Sequence, residues 1–261
     1  MNASLRYAVP LLLGIAVLCS WEFAVRHYNV PVFVLPAPSA IWQAFVENFG
    51  TLMSALWVTF RIVVIAFVVA LASGVALAVL FSQSRIVELA LYPYAVALQV
   101  TPVISIAPLI MIWFHYENID LALLLLAWMV AFFPILSNTT LGLHSADRNL
   151  IELFKLYGAS RWQILWRLQM PTALPFVLGA MKISGGLALI GVIVAEFAAG
   201  SGSDTGIGWT ITEAGNRLHI ATMFAALGLL SFVGISIFFA LSGLEYALLR
   251  RWHESALKKV Q

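Results

Sequence analysis

The chain has 261 residues, 62% hydrophobic and only 10% charged, with a formal net charge of +2 and a mean hydropathy of +0.97. A soluble globule cannot hide that much apolar surface, so the composition defines an integral membrane protein. At about 20 residues per span it accommodates roughly five or six helices in a single domain, 1–261, with no room for a soluble catalytic domain.

Apolar spans are expected at about 8–26, 56–82, 89–114, 119–142, 174–196 and 221–248, an all-α arrangement of six transmembrane helices. The runs are continuously apolar rather than alternating, which excludes a β-barrel. The first follows MNASLR and holds Cys19; Leu18 before it does not suit lipoprotein cleavage, and no small-x-small site follows, so a retained helix is expected. One cysteine excludes an internal disulfide or a cysteine-based cluster, and Cys19 is expected as a small packing residue.

Pro31, Pro36 and Pro38 prevent regular helix until SAIWQAFVENF, where Ser39 is expected to N-cap a short helix. Its Ile41, Trp42, Phe45, Val46 and Phe49 share one face, which suits a lid or anchor at the outer interface. Glu22 and Arg61 lie close enough to that interface to snorkel. Pro93, Pro102, Pro108 and Pro134 fall inside spans and predict kinks. Gln99, Thr101 and Ser105 fall near one face of the third span, where they line a path or bond to their own backbone.

The longest polar interruption is 147–171. Asp147 to Tyr157 suits one short helix with acidic residues toward its start, Gly158 breaks it, and Ala159 to Gln169 suits a second with Ile164, Leu165 and Leu168 apolar and Arg161 and Arg167 polar. Two readings stand at this point: an ordinary basic loop, or a surface presented to a partner. Pro171 and Pro175 then open the next span. Lys182 lies about nine residues into it, roughly 13 Å deep, a position that demands a cavity or a partner. With Ser184 it is assigned to a pathway lining, a structural cation over nearby carbonyls being the alternative. Gly179, Gly185, Gly186 and Gly191 would permit close helix approach. Glu196 ends the span at the outer surface as a gate, a docking contact or a solvated group. Residues 200–219, rich in glycine and serine, are expected to be a mobile connection.

Orientation follows from the cations. An inside N-terminus puts Arg6, Arg85, Arg148, Lys155, Arg161, Arg167, Arg250, Arg251, Lys258 and Lys259 in the cytoplasm, Arg26 and Arg217 outside, and Arg61 and Lys182 within spans. Both termini and 147–171 therefore face the cytoplasm, and the net charge reflects lipid topology rather than nucleic-acid binding.

Glu152, Gly158 six residues later, and then Leu168, Met170 and Pro171 resemble the E-A-A, three residues, G, nine residues, I-x-L-P signature of permease subunits of binding-protein-dependent ABC importers. Leu153 and Phe154 replace the two alanines, Leu168 the isoleucine and Met170 the leucine. LPAPSAIWQAF, TPVISIAPLIMIWF from Thr101 to Phe114, GAMKISGGLALIGVIVAEF and TGIGW resemble permeases for nitrate, taurine, alkanesulfonates, bicarbonate or thiamine and flavin precursors. His115 and Tyr116 replace the glycine-rich turn usual after W-F.

The resemblance implies a type I ABC importer permease fold in a bacterial inner membrane, with 147–171 as the coupling segment. It assigns ATPase coupling to Glu152, Leu153, Phe154, Gly158, Ala159, Arg161 and Pro171, a path to Gln99, Thr101, Ser105, Lys182 and Ser184, and an outer gate or binding-protein contact to Glu196, Gly206 and Gly208. The implied partners are two ATPase subunits, a second copy of the chain, a periplasmic or lipoprotein solute-binding protein, and lipid. No G-x-x-x-x-G-K-[ST] loop occurs in the chain, so ATP and Mg²⁺ are expected on the partner ATPase and no cofactor here. The cargo is an anion such as a sulfonate or nitrate, or a vitamin precursor such as a thiamine pyrimidine. An ion-coupled carrier built on Lys182 and Glu196 is the alternative. An intramembrane enzyme is remote, since the GSGS serines lack a G-x-S-G setting and His144 and His219 are assigned to opposite sides.

Overall fold

A computed structural model describes residues 3–114, 118–199 and 206–250, and every regular element among them is helical. In chain order these are α1 (Ala3–His27), α2 (Pro38–Glu47), α3 (Phe49–Gln83), α4 (Arg85–Val100), α5 (Val103–Phe114), α6 (Ile119–His144), α7 (Arg148–Leu156), α8 (Arg161–Ile164), a π turn (Leu165–Gln169), α9 (Met170–Ala199), α10 (Ile207–Asn216) and α11 (Ile220–Leu249). In hydrocarbon the backbone must satisfy its own hydrogen bonds, which is why apolar runs of this length become helices. Packing groups the chain into two compact units, Met1–Val58 with Asp204–Phe232 and Thr59–Ser203 with Val233–Gln261.

In the first unit the Trp21 ring of α1 lies 5.9 Å from Phe224 of α11. Glu22 does more than snorkel: its carboxylate accepts from the Ser39 backbone N–H at 3.0 Å, the Ser39 hydroxyl at 2.8 Å and Arg26 Nε at 2.5 Å. The cap of α2 is Ala37, with no side-chain bond, and Ser39 sits in the first turn instead of capping it. Pro38, preset for the first helical position, starts the helix two residues early, and a carboxylate from α1 serves the free N–H of Ser39 in its first turn. Cys19, expected to pack, is exposed on α1.

The mobile connection expected over 200–219 is a helix in its second half. In α10, Ile207, Ile211 and Ala214 are buried at helical spacing, with Gly206 as N-cap, a periodicity hidden by the glycine-rich composition. Residues 200–205, including Ser201 and Ser203, lie outside the described set, as do His115, Tyr116, Arg251, Lys258 and Lys259.

In the second unit, three contacts between α3 and α6 advance together along both helices. Arg61 pairs with Asp120 at 2.6 Å, the Ser73 hydroxyl accepts from Trp128 Nε1 at 2.9 Å, and Gly74 lies against Ile135 and Leu136. The two helices are therefore parallel, with α4 and α5 between them in the chain. Among the described residues five helices are long and apolar enough to span a membrane, and the pair α4–α5, bent by 101°, makes a sixth when taken as one broken span. The continuous span expected over 89–114 is thus broken. Thr101 is extended ahead of Pro102 (φ −69, ψ 123), as the steric demand of a following proline requires. Pro93, Pro108 and Pro134 stay inside helices.

Helix α9 runs antiparallel to α6. Gly142 abuts Ala173 and Phe176, Ser184 bonds to Ala131, and a Cβ on Gly191 would lie 2.8 Å from Ala127 Cα. Against α11, a Cβ on Gly185 would lie 2.7 Å from Leu241 Cδ1. Gly185 and Gly191 allow close approach as expected, whereas Gly179 and Gly186 have no neighbour within 4 Å of such a Cβ.

Candidate functional site

The segment between α6 and α9 is built from local caps. Asp147 caps α7 by accepting from Asn149 N–H at 2.8 Å. At the other end Gly158, at φ +73, donates to the Lys155 carbonyl at 2.9 Å while Ala159 donates to Phe154 at 3.0 Å. These two bonds are a Schellman termination, and only glycine adopts that φ without strain. Ser160 and Gln163 then form a reciprocal capping box for α8, with 2.7 and 3.3 Å bonds. The S-x-x-Q spacing after the glycine is the sequence signal for this box, at positions that the E-A-A and G signature leaves unspecified.

This folding leaves apolar side chains in solvent. Leu156 and Tyr157 are each 84% exposed, and Trp162 and Trp166 are 59% and 62% exposed. Glu152, Arg161 and Arg167 are exposed among them. Leu153, Phe154, Gly158 and Ala159 meet around one open cavity of about 400 Å³ with Tyr157, Gln163 and Arg167. Glu152, Arg161 and Pro171 are outside that lining.

The second expected helix does not end at Gln169. Arg161–Ala199 is one helical run of 39 residues, interrupted only by the π turn, in which Met170 N–H reaches back to the Leu165 carbonyl. Pro171 lies in the turn that follows rather than opening a separate span.

Within the bundle, Lys182 lines an open groove of about 530 Å³ with Asn138, Pro175, Phe176, Gly179, Ile183 and Phe238. Its ammonium donates to Glu245 Oε2 of α11 at 2.6 Å, both side chains being about one-fifth exposed. Neither Glu245 nor the Arg61 partner Asp120 is detectable from sequence, because each is brought in from a distant helix. Asn138 gives its amide to the Pro134 carbonyl at 2.8 Å, so its oxygen is the free end.

Of the remaining path candidates, Ser184 is fully buried and donates to the Ala131 carbonyl at 2.8 Å, which turns it toward α6. Thr101 donates to Ala97 of its own helix at 2.7 Å. Gln99 and Ser105 are exposed beside the α4–α5 break. Glu196 is not a solvated surface group: it is 3% exposed and accepts from the buried Thr59 hydroxyl at 2.6 Å. Gly206 and Gly208 are buried at the start of α10.

Five long apolar helices and the bent α4–α5 pair, with a capped and apolar-studded segment between α6 and α9, define a polytopic membrane protein. The chain belongs to the binding-protein-dependent transport system inner membrane component family, whose profile matches residues 69–259. It is 32% identical over 253 residues to the formylaminopyrimidine transport permease ThiX of Halalkalibacterium halodurans, covering 95% of this chain and 98% of that one. It is 33% identical over 239 residues to the riboflavin transport system permease RibX of Chloroflexus aurantiacus, covering 90% and 86%. The fold matches an amino acid ABC transporter crystallised with histidines, with a TM-score of 0.64 at 14% identity over 80% of this chain and 97% of that one.

Proposed function

We propose that this chain forms the translocation path of an ABC importer, with both termini cytoplasmic, and takes its drive from a separate ATPase bound at 147–171. The observation that carries the docking half is the exposure of Leu156, Tyr157, Trp162 and Trp166 on a basic segment that is otherwise rigidly capped. Large apolar side chains held out by a rigid frame are what a partner's groove recognises. Glu152 and Arg161 flank them as polar rim, and Gly158 fixes the angle between α7 and α8. Two ATPase subunits, a second copy of the chain and a solute-binding protein complete the assembly, and ATP and Mg²⁺ stay on the ATPase. Glu196, Gly206 and Gly208 belong to its outer end.

The groove beside Lys182 supports an uncharged planar heterocycle over an anion. Glu245 neutralises the lysine at 2.6 Å, leaving Phe176, Phe238 and the Asn138 oxygen as the features that meet a solute. Relatives named for a formylaminopyrimidine and for riboflavin are of the same kind. The test is reconstitution of the chain with its ATPase and binding protein in liposomes. ATP-dependent uptake of a pyrimidine or flavin, competed poorly by nitrate or taurine, is expected. Uptake driven by a proton or sodium gradient without the ATPase would favour a secondary carrier and overturn the proposal.

A further inference from the structure

Residues seven apart on an α-helix lie almost in line, since two turns take 7.2 residues. Were Arg161–Ala199 a uniform helix, Trp166 would share a line with Ala173 and Ala180, and Leu165 with Thr172 and Gly179. The exposures say the opposite. Trp166 is 62% exposed although Ala173 and Ala180 are 0% and 1% exposed, and Leu165 is 0% exposed although Gly179 borders the open groove.

The π turn resolves the mismatch. It holds one residue more than an α turn, which brings Leu165 into line with Ala173 and Ala180 as a single buried row and rotates Trp166 out. Pro171 stands next to it. Pro171 has no N–H to donate, and in a tight α turn its ring would strike the Arg167 carbonyl four residues back. Widening the preceding turn removes that clash. Two bonds then hold the widened turn: the Thr172 hydroxyl donates to the Leu168 carbonyl at 2.8 Å, and the Gln169 amide donates to the Leu143 carbonyl of α6 at 3.4 Å.

We propose that Pro171, through the π turn ahead of it, sets the rotational register between the docking segment and the path helix α9, and is therefore a positioning residue. The register is a property of the chain itself, and its consequence for transport rests on the docking reading above. With Pro171 in place, residues 160–163 and Trp166 face outward while Lys182 faces its groove. Closing the π turn to α would rotate one against the other by about 100°.

The experiment uses the full-length chain in membranes, Cys19→Ser, carrying Leu165→Cys or Trp166→Cys, and reads labelling by N-ethylmaleimide. With Pro171 present, Trp166→Cys is expected to label and Leu165→Cys to be protected. Pro171→Ala is expected to reverse the two rates, each by about tenfold, because access governs thiol reaction. Deleting Trp166 in the Pro171→Ala chain removes the surplus residue and is expected to restore protection of Leu165→Cys, a rescue that general destabilisation cannot produce. Unchanged rates in Pro171→Ala, or failure of the deletion to restore protection, overturns the proposal. Reversed labelling with ATP-driven uptake intact would leave the register standing and overturn the docking reading instead.

Discussion

The docking segment and the membrane groove are held together in opposite ways. From Asp147 to Gln163 the constraints are local, acting within a few residues: Asp147 on Asn149, Gly158 and Ala159 on Lys155 and Phe154, Ser160 on Gln163; Gln169 at the far end ties back to Leu143 of α6. The groove depends on partners far apart in sequence, Lys182 with Glu245, and elsewhere in the same unit Thr59 bonds Glu196 in the same long-range way. The surface proposed to meet another protein is shaped by its own backbone, whereas the membrane interior is shaped by pairing between helices, because unpaired polar groups are too costly there.

The comparison can be broken at either end. The largest effect is expected from Gly158→Pro. Its φ of +73 is closed to proline, so the docking conformation loses about 3 kcal/mol, on the order of a hundredfold in population. ATP-driven uptake should collapse while helicity by circular dichroism is retained. Gly191→Ala tests the bundle instead: its Cβ would meet Ala127 Cα at 2.8 Å, an overpacking expected to lower stability by about 2 kcal/mol, read as a fall in Tm in detergent. Glu245→Gln leaves Lys182 without its partner. With both side chains still partly solvated, about 1.5 kcal/mol is expected, and Lys182→Met combined with Glu245→Leu should recover more than half of it. A double variant no better than Glu245→Gln alone would show that the pair is not coupled. Ser160→Ala should cost about 1 kcal/mol, confined to faster amide exchange at the start of α8; a global fall in Tm would contradict the local character of the segment.

This division also decides what was legible in the sequence. The spans announce themselves through length and continuous hydrophobicity, and Gly158 through the failure of periodicity on either side of it. The α2 start was misplaced by two residues because Pro38 and a distant carboxylate do what Ser39 was expected to do. α10 was overlooked because glycine and serine dominate the composition while Ile207, Ile211 and Ala214 carry the pattern. Glu245 and Asp120 had no local signature at all. Pro171 was visible, but its neighbour, the π turn, follows from a clash between atoms four residues apart that no pattern of apolar positions records.

The elbow between α4 and α5 imposes a condition on the whole protein. At Thr101 and Pro102 the helical ladder stops inside a crossing bent by 101°, with Val100 and Ile104 turned outward at 71% and 62% exposure. Hydrocarbon offers nothing to free amide and carbonyl groups, so interrupted backbone is tolerated at membrane depth only beneath protein or water. Taken as a broken span, α4–α5 is thus poorly matched to bare lipid at its elbow and calls for protein or water beside Val100 and Ile104.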